Sequence, residues 1–525
     1  MRLSHIDPAW DLIVIGGGIT GAGVFREAAR SGLKVLLLEG RDFSWGTSSR
    51  SAKLVHGGLR YLKEGRIRLT LESVRARQRL LAEAPGLVEP LEFLMPVYEG
   101  YGPGRWALKA GLSVYDLMAH KRQHKYYRAE EFLQLVPCIR SENLSGGFRF
   151  FDAQVDDCRL VLRLINETPA NRGTALNYTE VKEIRRFSGG RVDGVTARDA
   201  ETGTTRELSA HAVINATGAW AERLHPSPEP HRHLRPLRGS HLIFPQAVLP
   251  VDRAVSFIHP SDKRPIYAFP WEGAVLFGTT DVDHREDLNE EPAITREEAD
   301  YLMDSLHFFF PDPRVSLEHC ISTFSGIRSV LSEGKLPPSQ ESREHVVWAA
   351  DGLVTVTGGK LTTFRKLAWD TLEAVRPFVG GVAVSGKRDR VFSPWPDSPP
   401  GSHVDGQEWR RLCGRYGEQA AELVRQSDPG LLTPIPGTRT LWAELPFVAE
   451  REQVRHLADL LLRRVRIGLL TPLGGEALLD EIQRLCEPTL SWDTKRWGEE
   501  RQMYLEMWGK AYSVPGGFPH RREGM

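Results

Sequence analysis

The sequence predicts an α/β fold that opens on a parallel sheet and closes on a helical region. Three observations carry this reading. The run Asp11-Leu-Ile-Val-Ile15 leads straight into Gly16-Gly17-Gly18-Ile19-Thr20-Gly21. A second apolar run, Lys34-Val-Leu-Leu-Leu-Glu39, follows after one helix length and ends on an acid. Beyond a Pro-, Ser- and Gly-rich stretch at 385–408, residues 408–510 show helical periodicity with few strand signals.

Each part of the opening unit has a physical task. Residues 12–15 suit a buried parallel strand. Gly16 permits a tight turn, Gly18 removes a side chain where backbone must approach a pyrophosphate, and Gly21 lets the helix pack close to the strand. The helix N-terminus turns its positive end toward the phosphates. Ser31-Gly32 ends that helix, and Val35–Leu38 form the next strand. Glu39 at its tip can accept hydrogen bonds from both ribose hydroxyls, and an acid there disfavours the 2′-phosphate of NADP. This is a Rossmann-like dinucleotide unit, and by itself it leaves FAD and NAD both open.

With 525 residues the chain is expected to fold as two or three domains. Lys plus Arg equals Asp plus Glu at 68 each, which argues against general nucleic-acid binding. Cys138, Cys158, Cys320, Cys413 and Cys486 form no CxxC pair, and the histidines show no HExxH spacing. A reducing cytosol and no metal site are expected. Residues 1–10 carry no apolar run of the signal-peptide kind, and no stretch approaches the roughly 20 apolar residues of a membrane span. A protein that is soluble or bound to a membrane surface is expected.

Along the chain, 66–84 reads as an amphipathic helix, 156–171 and 295–309 as further helices, and 235–283 as strands of a substrate-domain sheet. Residues 353–376 read as strand, Gly358-Gly359, helix. The segment 105–127 combines Trp106, Leu112, Tyr115, Leu117 and Met118 with a run of cations through Lys125. It suits a helix lying in an anionic lipid interface, and equally a surface helix packed on the core.

The chemistry concentrates in a few segments. Arg41–Tyr61 reads RDFSWGTSSRSAKLVHGGLRY, a loop of small residues, hydroxyls and free amides followed by a histidine flanked by glycines. GTSSRSAKLVHGGLRYL resembles the flavin-binding segment of FAD-dependent glycerol-3-phosphate dehydrogenases and their oxidase relatives. Asn215-Ala-Thr-Gly-Ala-Trp220, Arg238-Gly-Ser-His241, Gly278-Thr-Thr-Asp281, Gly326-Ile-Arg328 and Gly358-Gly-Lys-Leu-Thr-Thr-Phe-Arg-Lys366 resemble that family's further motifs, in order from about 10 to 376. Leu460–Ile467 resembles its helical cap more loosely.

The resemblance implies an architecture. A Rossmann-like FAD-binding domain (about 8–85, 152–220 and 350–384) would be interleaved with an antiparallel substrate-domain sheet (about 86–151 and 221–349), together spanning 1–384. A linker at 385–408 would lead to a C-terminal helical domain at 409–525, for which homodimerisation and membrane docking are both candidate roles. FAD, bound non-covalently, would be held by Gly16, Gly18, Gly21, Glu39, Thr47, Ser48, Ser51, Lys53, His56, Gly57, Val181, Gly218, Gly359, Leu361 and Thr362.

The implied reaction is oxidation of sn-glycerol 3-phosphate at C2 to dihydroxyacetone phosphate, with hydride passing to flavin N5 and electrons to membrane quinone. The implied place is the cytoplasmic face of the inner membrane, on an anionic membrane surface. Such a reaction needs a base for the hydroxyl proton and cations for a dianionic phosphate. His241 and His56 are the base candidates, His241 preferred for the alcohol proton and His56 for flavin contact. Matching to the family gives Arg60, Tyr61, Thr280, Arg328, Arg343 and Lys360 as substrate residues, with Arg328 and Lys360 also in the catalytic set. Ser329 stands where the family has Pro, and 333–342 has its own sequence, which bears on Arg343. The alternative is a glycerol-3-phosphate oxidase that reduces oxygen to peroxide. Oxidase relatives carry a long insertion after the G-L-R motif, whereas about thirty residues separate Arg328 from Gly358 here.

Overall fold

The computed structural model describes residues 2–63, 65–225, 233–312, 314–332, 345–381, 386, 388–401 and 403–517, with the side chains of Arg60 and Lys63 left aside. Two expected substrate residues therefore lie outside the described residues, Arg343 entirely and Arg60 in its side chain.

The first sheet is built around Ala9–Ile15, whose residues 12–15 are buried. It pairs in parallel with Val35–Leu38 on one side and Thr205–Asn215 on the other. Gly173–Leu176 and Leu353–Gly358 continue the parallel order outward, and His345–Ala350 adds an antiparallel edge. Parallel strands need both faces covered. Helices Ile19–Arg30, Asp157–Asn166 and Phe364–Val375 cover one face through Val24, Phe25, Leu160 and Phe364. Strands Thr179–Arg186 and Val192–Asp199 form an antiparallel flap, and Val195, Ala197 and Leu208 pack on Ile13 and Leu36 from the other face.

The second sheet is mostly antiparallel. Its spine, His233–Pro245, pairs with Ser322–Ser332 from His233↔Ser332 to Ile243↔Ser322, and with Ala274–Gly278 on the opposite edge. The order runs on through Pro265–Trp271 and Ala254–Ile258 to Val88–Tyr98 and Leu144–Val155. Helix Arg296–Phe309 backs the sheet, its Leu302, Leu306 and Phe309 packing on Leu242, Phe257 and Phe277. Strand alternation then decides which residues turn the other way. Gly239 and His241 on the spine, and Arg328 on its partner, face a cavity between the two sheets.

The chain ends in helices Gly406–Tyr416, Ala420–Gln426, Glu444–Arg451, Leu479–Leu490 and Thr494–Ala511. They share one apolar core with the second sheet, in which Trp409, Leu461, Ile467 and Trp508 join Phe93, Ile243, Trp271 and Phe324. The described part of 385–408 differs from a free linker. Val391 and Phe392 are buried in the helix layer of the first sheet, and Arg365 donates to the carbonyls of Asp389 (2.7 Å) and Gly386 (2.8 Å). Two apolar anchors in a run otherwise rich in Pro and Ser suffice to strap it down. Among the described residues no helix is long and apolar enough to cross a membrane.

Candidate active site

A cavity of about 1700 Å³ runs between the two sheets, from the Gly16 turn to the Lys360 turn. At the nucleotide end Gly16 has φ +108°, a conformation that side chains resist, and a Cβ there would meet the Ala216 carbonyl oxygen at 2.6 Å. Gly21 does not line the cavity: a Cβ on it would lie 1.8 Å from the Gly16 carbonyl oxygen, so its bareness seats the helix against the turn. Gly18 lines the cavity and begins the helix, and the next amide, Ile19 N–H, donates to Ser48 Oγ at 2.9 Å. That bond ties the hydroxyl loop to the anion-attracting end of the helix.

Glu39 lies at the strand tip facing the cavity, where its carboxylate accepts from Gly17 N–H (2.7 Å) and Arg41 N–H (2.9 Å). Burial raises its pKa, and the two N–H bonds oppose that rise. A carboxylate offers about four acceptor positions, so two remain for a ribose. Glu39→Ala is expected to weaken cofactor binding roughly tenfold, the scale of one or two charged hydrogen bonds. Titration of the apoprotein by quenching of flavin fluorescence checks this, and an unchanged affinity removes Glu39 from the ribose role. Val181 and Gly218 also line the cavity, on either side of this end, with Tyr178 and Trp220.

Of the loop that follows, Thr47, Ser48 and Ser51 line the wall. Thr47 Oγ1 donates to the Ile327 carbonyl, and the Ser51 amide and hydroxyl donate to Asp157 Oδ2 at 2.9 and 2.7 Å. Two expected cofactor residues need correction. Lys53 turns away from the cavity and is fully buried, its ammonium on Asp157 (2.8 Å) and the Ser49 carbonyl (2.5 Å). Burial pushes it down to about 8 against the pull of Asp157, and that carboxylate in the core explains its direction. Gly57 is likewise behind the wall, its N–H donating to Tyr115 OH (2.9 Å) and Asp152 Oδ1 (3.1 Å), with no room for a Cβ beside Tyr115.

At the far end Gly359, Lys360, Leu361 and Thr362 line the cavity where Leu353–Gly358 turns into Phe364–Val375. Lys360 Nζ lies 3.7 Å from the centre of the Tyr61 ring and donates to Ser73 Oγ at 3.1 Å. His56 and Tyr61 line the same end. His241, also in the lining, is 2 % exposed and stacks on Phe324 at 4.6 Å and 13°. Neither ring nitrogen has a hydrogen-bond partner within the described residues. Burial, then the Arg328 and Lys53 charges, hold its pKa well below the ordinary histidine value, so the ring is neutral.

Arg328 donates to the Thr280 carbonyl at 3.0 Å and lies 3.6 Å from the Asp281 carboxylate. Thr280 itself is a correction. Its hydroxyl donates to Glu298 Oε1 (2.6 Å), accepts from Ser240 N–H (2.9 Å) and does not reach the cavity; Thr279 and Asp281 on either side do. The carboxylate at the start of Arg296–Phe309 captures it. Among the described residues five lining cations were not foreseen: Arg41, Arg50, Arg223, Lys263 and Arg264, the last donating to the Asp281 carbonyl at 2.6 Å. Arg264 stands next to Lys263 in a loop, and no spacing signals either as a site residue.

A cofactor stretching from the Gly16 turn to the Lys360 turn uses both ends of this cavity, and glycine, hydroxyl and acid stand where its phosphates and ribose would lie. The fold and this cavity suit a dinucleotide-dependent oxidoreductase. Comparison with known proteins agrees. The model of the FAD dependent oxidoreductase family matches residues 11–365, and that of the C-terminal domain of alpha-glycerophosphate oxidase matches 365–497. The chain belongs to the FAD-dependent oxidoreductase family, in its glycerol-3-phosphate dehydrogenase branch, and its cofactor is FAD.

It is similar to the aerobic glycerol-3-phosphate dehydrogenase of Bacillus subtilis, with 37 % identity over 70 % of this chain and 67 % of that one. It is also similar to that of Staphylococcus epidermidis, with 31 % identity over 87 % of each. Among solved structures it resembles the FAD complex of the glycerol-3-phosphate dehydrogenase from Bacillus halodurans, with a TM-score of 0.75, 26 % identity and 95 % of each chain covered.

Proposed function

We propose that this enzyme oxidises sn-glycerol 3-phosphate at C2 to dihydroxyacetone phosphate and passes the two electrons to a membrane quinone. The observation that carries the substrate is the juxtaposition of His241 and Arg328. A Cβ on Gly239 would lie 1.9 Å from Arg328 Nη2, so the guanidinium covers the strand two residues from the histidine. A neutral base beside a fixed cation suits an alcohol that carries a phosphate. FAD, when bound, supplies the hydride acceptor. His241 takes the hydroxyl proton on a ring nitrogen, while Arg328 and Lys360 grip the phosphate. Phe324 holds the imidazole plane, and Thr279 and Asp281 back the guanidinium.

The quinone and the membrane rest on the cavity mouth. Helix Arg105–Ala119 leaves Trp106 and Leu117 more than 70 % exposed, with Val114 and Ile67 of the neighbouring helix also in solvent. Leu62, Ile67, Ala107, Ala110 and Val114 line the mouth, an apolar entry for a lipid-soluble acceptor. Arg105 and Lys109 flank Trp106 at 5.4 Å from its ring. Apolar and cationic groups together suit an anionic lipid surface, and they support the reading of a peripheral protein on the cytoplasmic face of the inner membrane.

One anaerobic experiment tests both parts. Substrate is added to the yellow holoenzyme on anionic vesicles that carry quinone, and reoxidation is followed there and in oxygenated buffer. Bleaching by glycerol 3-phosphate with fast recovery on quinone supports the proposal. No bleaching overturns the substrate, and fast recovery on oxygen with peroxide release means the oxidase. Trp106→Asp with Leu117→Asp is expected to abolish vesicle binding and slow quinone-dependent turnover at least tenfold, with bleaching unchanged, because each apolar group withdrawn from lipid costs a few kcal/mol. Equal vesicle binding removes this helix from the membrane.

A further inference from the structure

The wall segment Asp42–Lys53 carries Thr47, Ser48 and Ser51 into the cofactor cavity, and several of its anchors come from the other end of the chain. The Asp42 carboxylate accepts from Arg463 Nε (2.5 Å) and from Arg464 Nη1 and Nη2 (2.6 and 2.8 Å). The Ser49 carbonyl accepts from Arg466 Nη1 at 3.3 Å. Ser51 is held by Asp157, which pairs with Arg466. Arg50 donates to Tyr512 OH at 3.2 Å. None of Arg463, Arg464 and Arg466 lines the cavity, and all are buried.

The donors are arranged by one local feature. Leu460–Arg464 form a single wide helical turn with i→i+5 bonding, and Arg466 follows at φ +62°, in the left-handed region. Such turns re-aim successive side chains that an α-helix would spread around its axis. Arg464 is further fixed by donating to the Glu452 carbonyl at 2.7 and 3.0 Å, and Arg466 Nη2 by Asp156 at 2.8 Å. Buried ion pairs add little net stability compared with apolar packing, and their best-attested use is to fix one arrangement among several. Here the arrangement fixed is that of the segment whose Ser48 hydroxyl meets the helix N-terminus at the nucleotide end.

The geometry points to Arg463, Arg464 and Arg466 as positioning residues of the FAD site, through which the C-terminal helical region completes the cofactor-binding wall. They touch neither cofactor nor substrate; they act through Asp42, Ser49 and Asp157. Removing the clamp leaves the first sheet and its glycine turn intact and lets the wall segment move, so affinity for FAD falls while the apoprotein keeps its fold.

The test compares apoproteins of the wild type, Arg466→Met, and the charge-neutral pair Asp42→Asn with Arg464→Met, which leaves no unpaired charge behind. Dissociation constants for FAD come from quenching of flavin fluorescence, and apoprotein stability from thermal unfolding without flavin. The expected result is an FAD Kd raised roughly tenfold or more in the pair, as expected when hydrogen-bonding groups lose their fixed positions, with the apoprotein midpoint within a few degrees of wild type. Adding Arg466→Lys, which keeps the charge but not the fork, is expected to recover part of what Arg466→Met loses. An FAD Kd within twofold of wild type overturns the assignment. So does a Kd that rises only in step with a falling apoprotein midpoint, which would make the arginines a stability clamp alone. If Arg466→Met does not fold, the pair decides.

Discussion

His241→Asn is expected to slow anaerobic flavin bleaching by glycerol 3-phosphate by roughly 10²- to 10⁴-fold, the usual worth of a placed general base. Substrate affinity should change little, because His241 offers no charge to a phosphate. The ring is held for one role. It lies on Phe324 at 4.6 Å, has Gly278 against its edge with no room for a Cβ, and neither nitrogen is used within the described residues. Burial first, then Arg328 and Lys53, press its pKa well below the ordinary value, so the free enzyme keeps a neutral imidazole through the neutral range and below it.

A dianion on Arg328 counters one of those charges and makes the ring a stronger base when substrate is bound. The sign follows. The acid limb of the limiting bleaching rate, which reports the complex, should lie at higher pH than the acid limb of the second-order rate constant, which reports the free enzyme. Stopped-flow bleaching across pH reads both limbs. Equal bleaching rates in His241→Asn and wild type would exclude His241 as the base and leave His56, which also lines the cavity.

Arg328→Met is the second large effect. Two charge-assisted hydrogen bonds to a phosphate are worth about 3–4 kcal/mol, so KM should rise on the order of 10²- to 10³-fold while FAD stays bound. Arg328→Lys should recover only part of this, since an ammonium lacks the planar fork. Glycerol, which has no phosphate, serves as the control. Its slow oxidation should be the same in wild type and Arg328→Met, and a matching fall would mean that the arginine supports the pocket's shape rather than the phosphate. Arg328 already donates to the Thr280 carbonyl, so its side chain is aimed before substrate arrives and less ordering is lost on binding.

Features set by neighbouring residues were legible in the sequence. The Gly16 turn, Glu39 at the strand tip and helices near 66–84 and 295–309 follow from apolar period and glycine placement, and the structure has Ile67–Glu83 and Arg296–Phe309 there. His241, Arg328 and Lys360 were reached through motifs, and all three line one cavity. Thr280 and Lys53 were expected at the site from the family resemblance. What turned them away was a carboxylate on a distant helix, Glu298 for one and Asp157 for the other, and no local pattern encodes that. Arg264 was missed because the fold, not local spacing, brings it to the cavity beside the Asp281 carbonyl. The run Leu-Leu-Leu-Arg-Arg-Val-Arg was visible as a helical cap, but its partners at 42, 49, 156 and 157 were not, because sequence spacing says nothing about closure across hundreds of residues.

The bond between Asp42 and Arg463 spans 421 positions. On the ribosome the glycine turn and its acid emerge early, while the arginines that hold the loop beside them emerge in the final eighth of the chain. Contacts of such long range form late, because the loop they close must first be released and ordered. On the proposed clamp the nascent chain would carry an open nucleotide cleft for most of its synthesis, and tight loading of the yellow cofactor would wait for the C-terminal arginines. A ribosome-stalled chain that stops short of Leu460 should be colourless, and the released full-length chain should take up colour in step with its last folding phase.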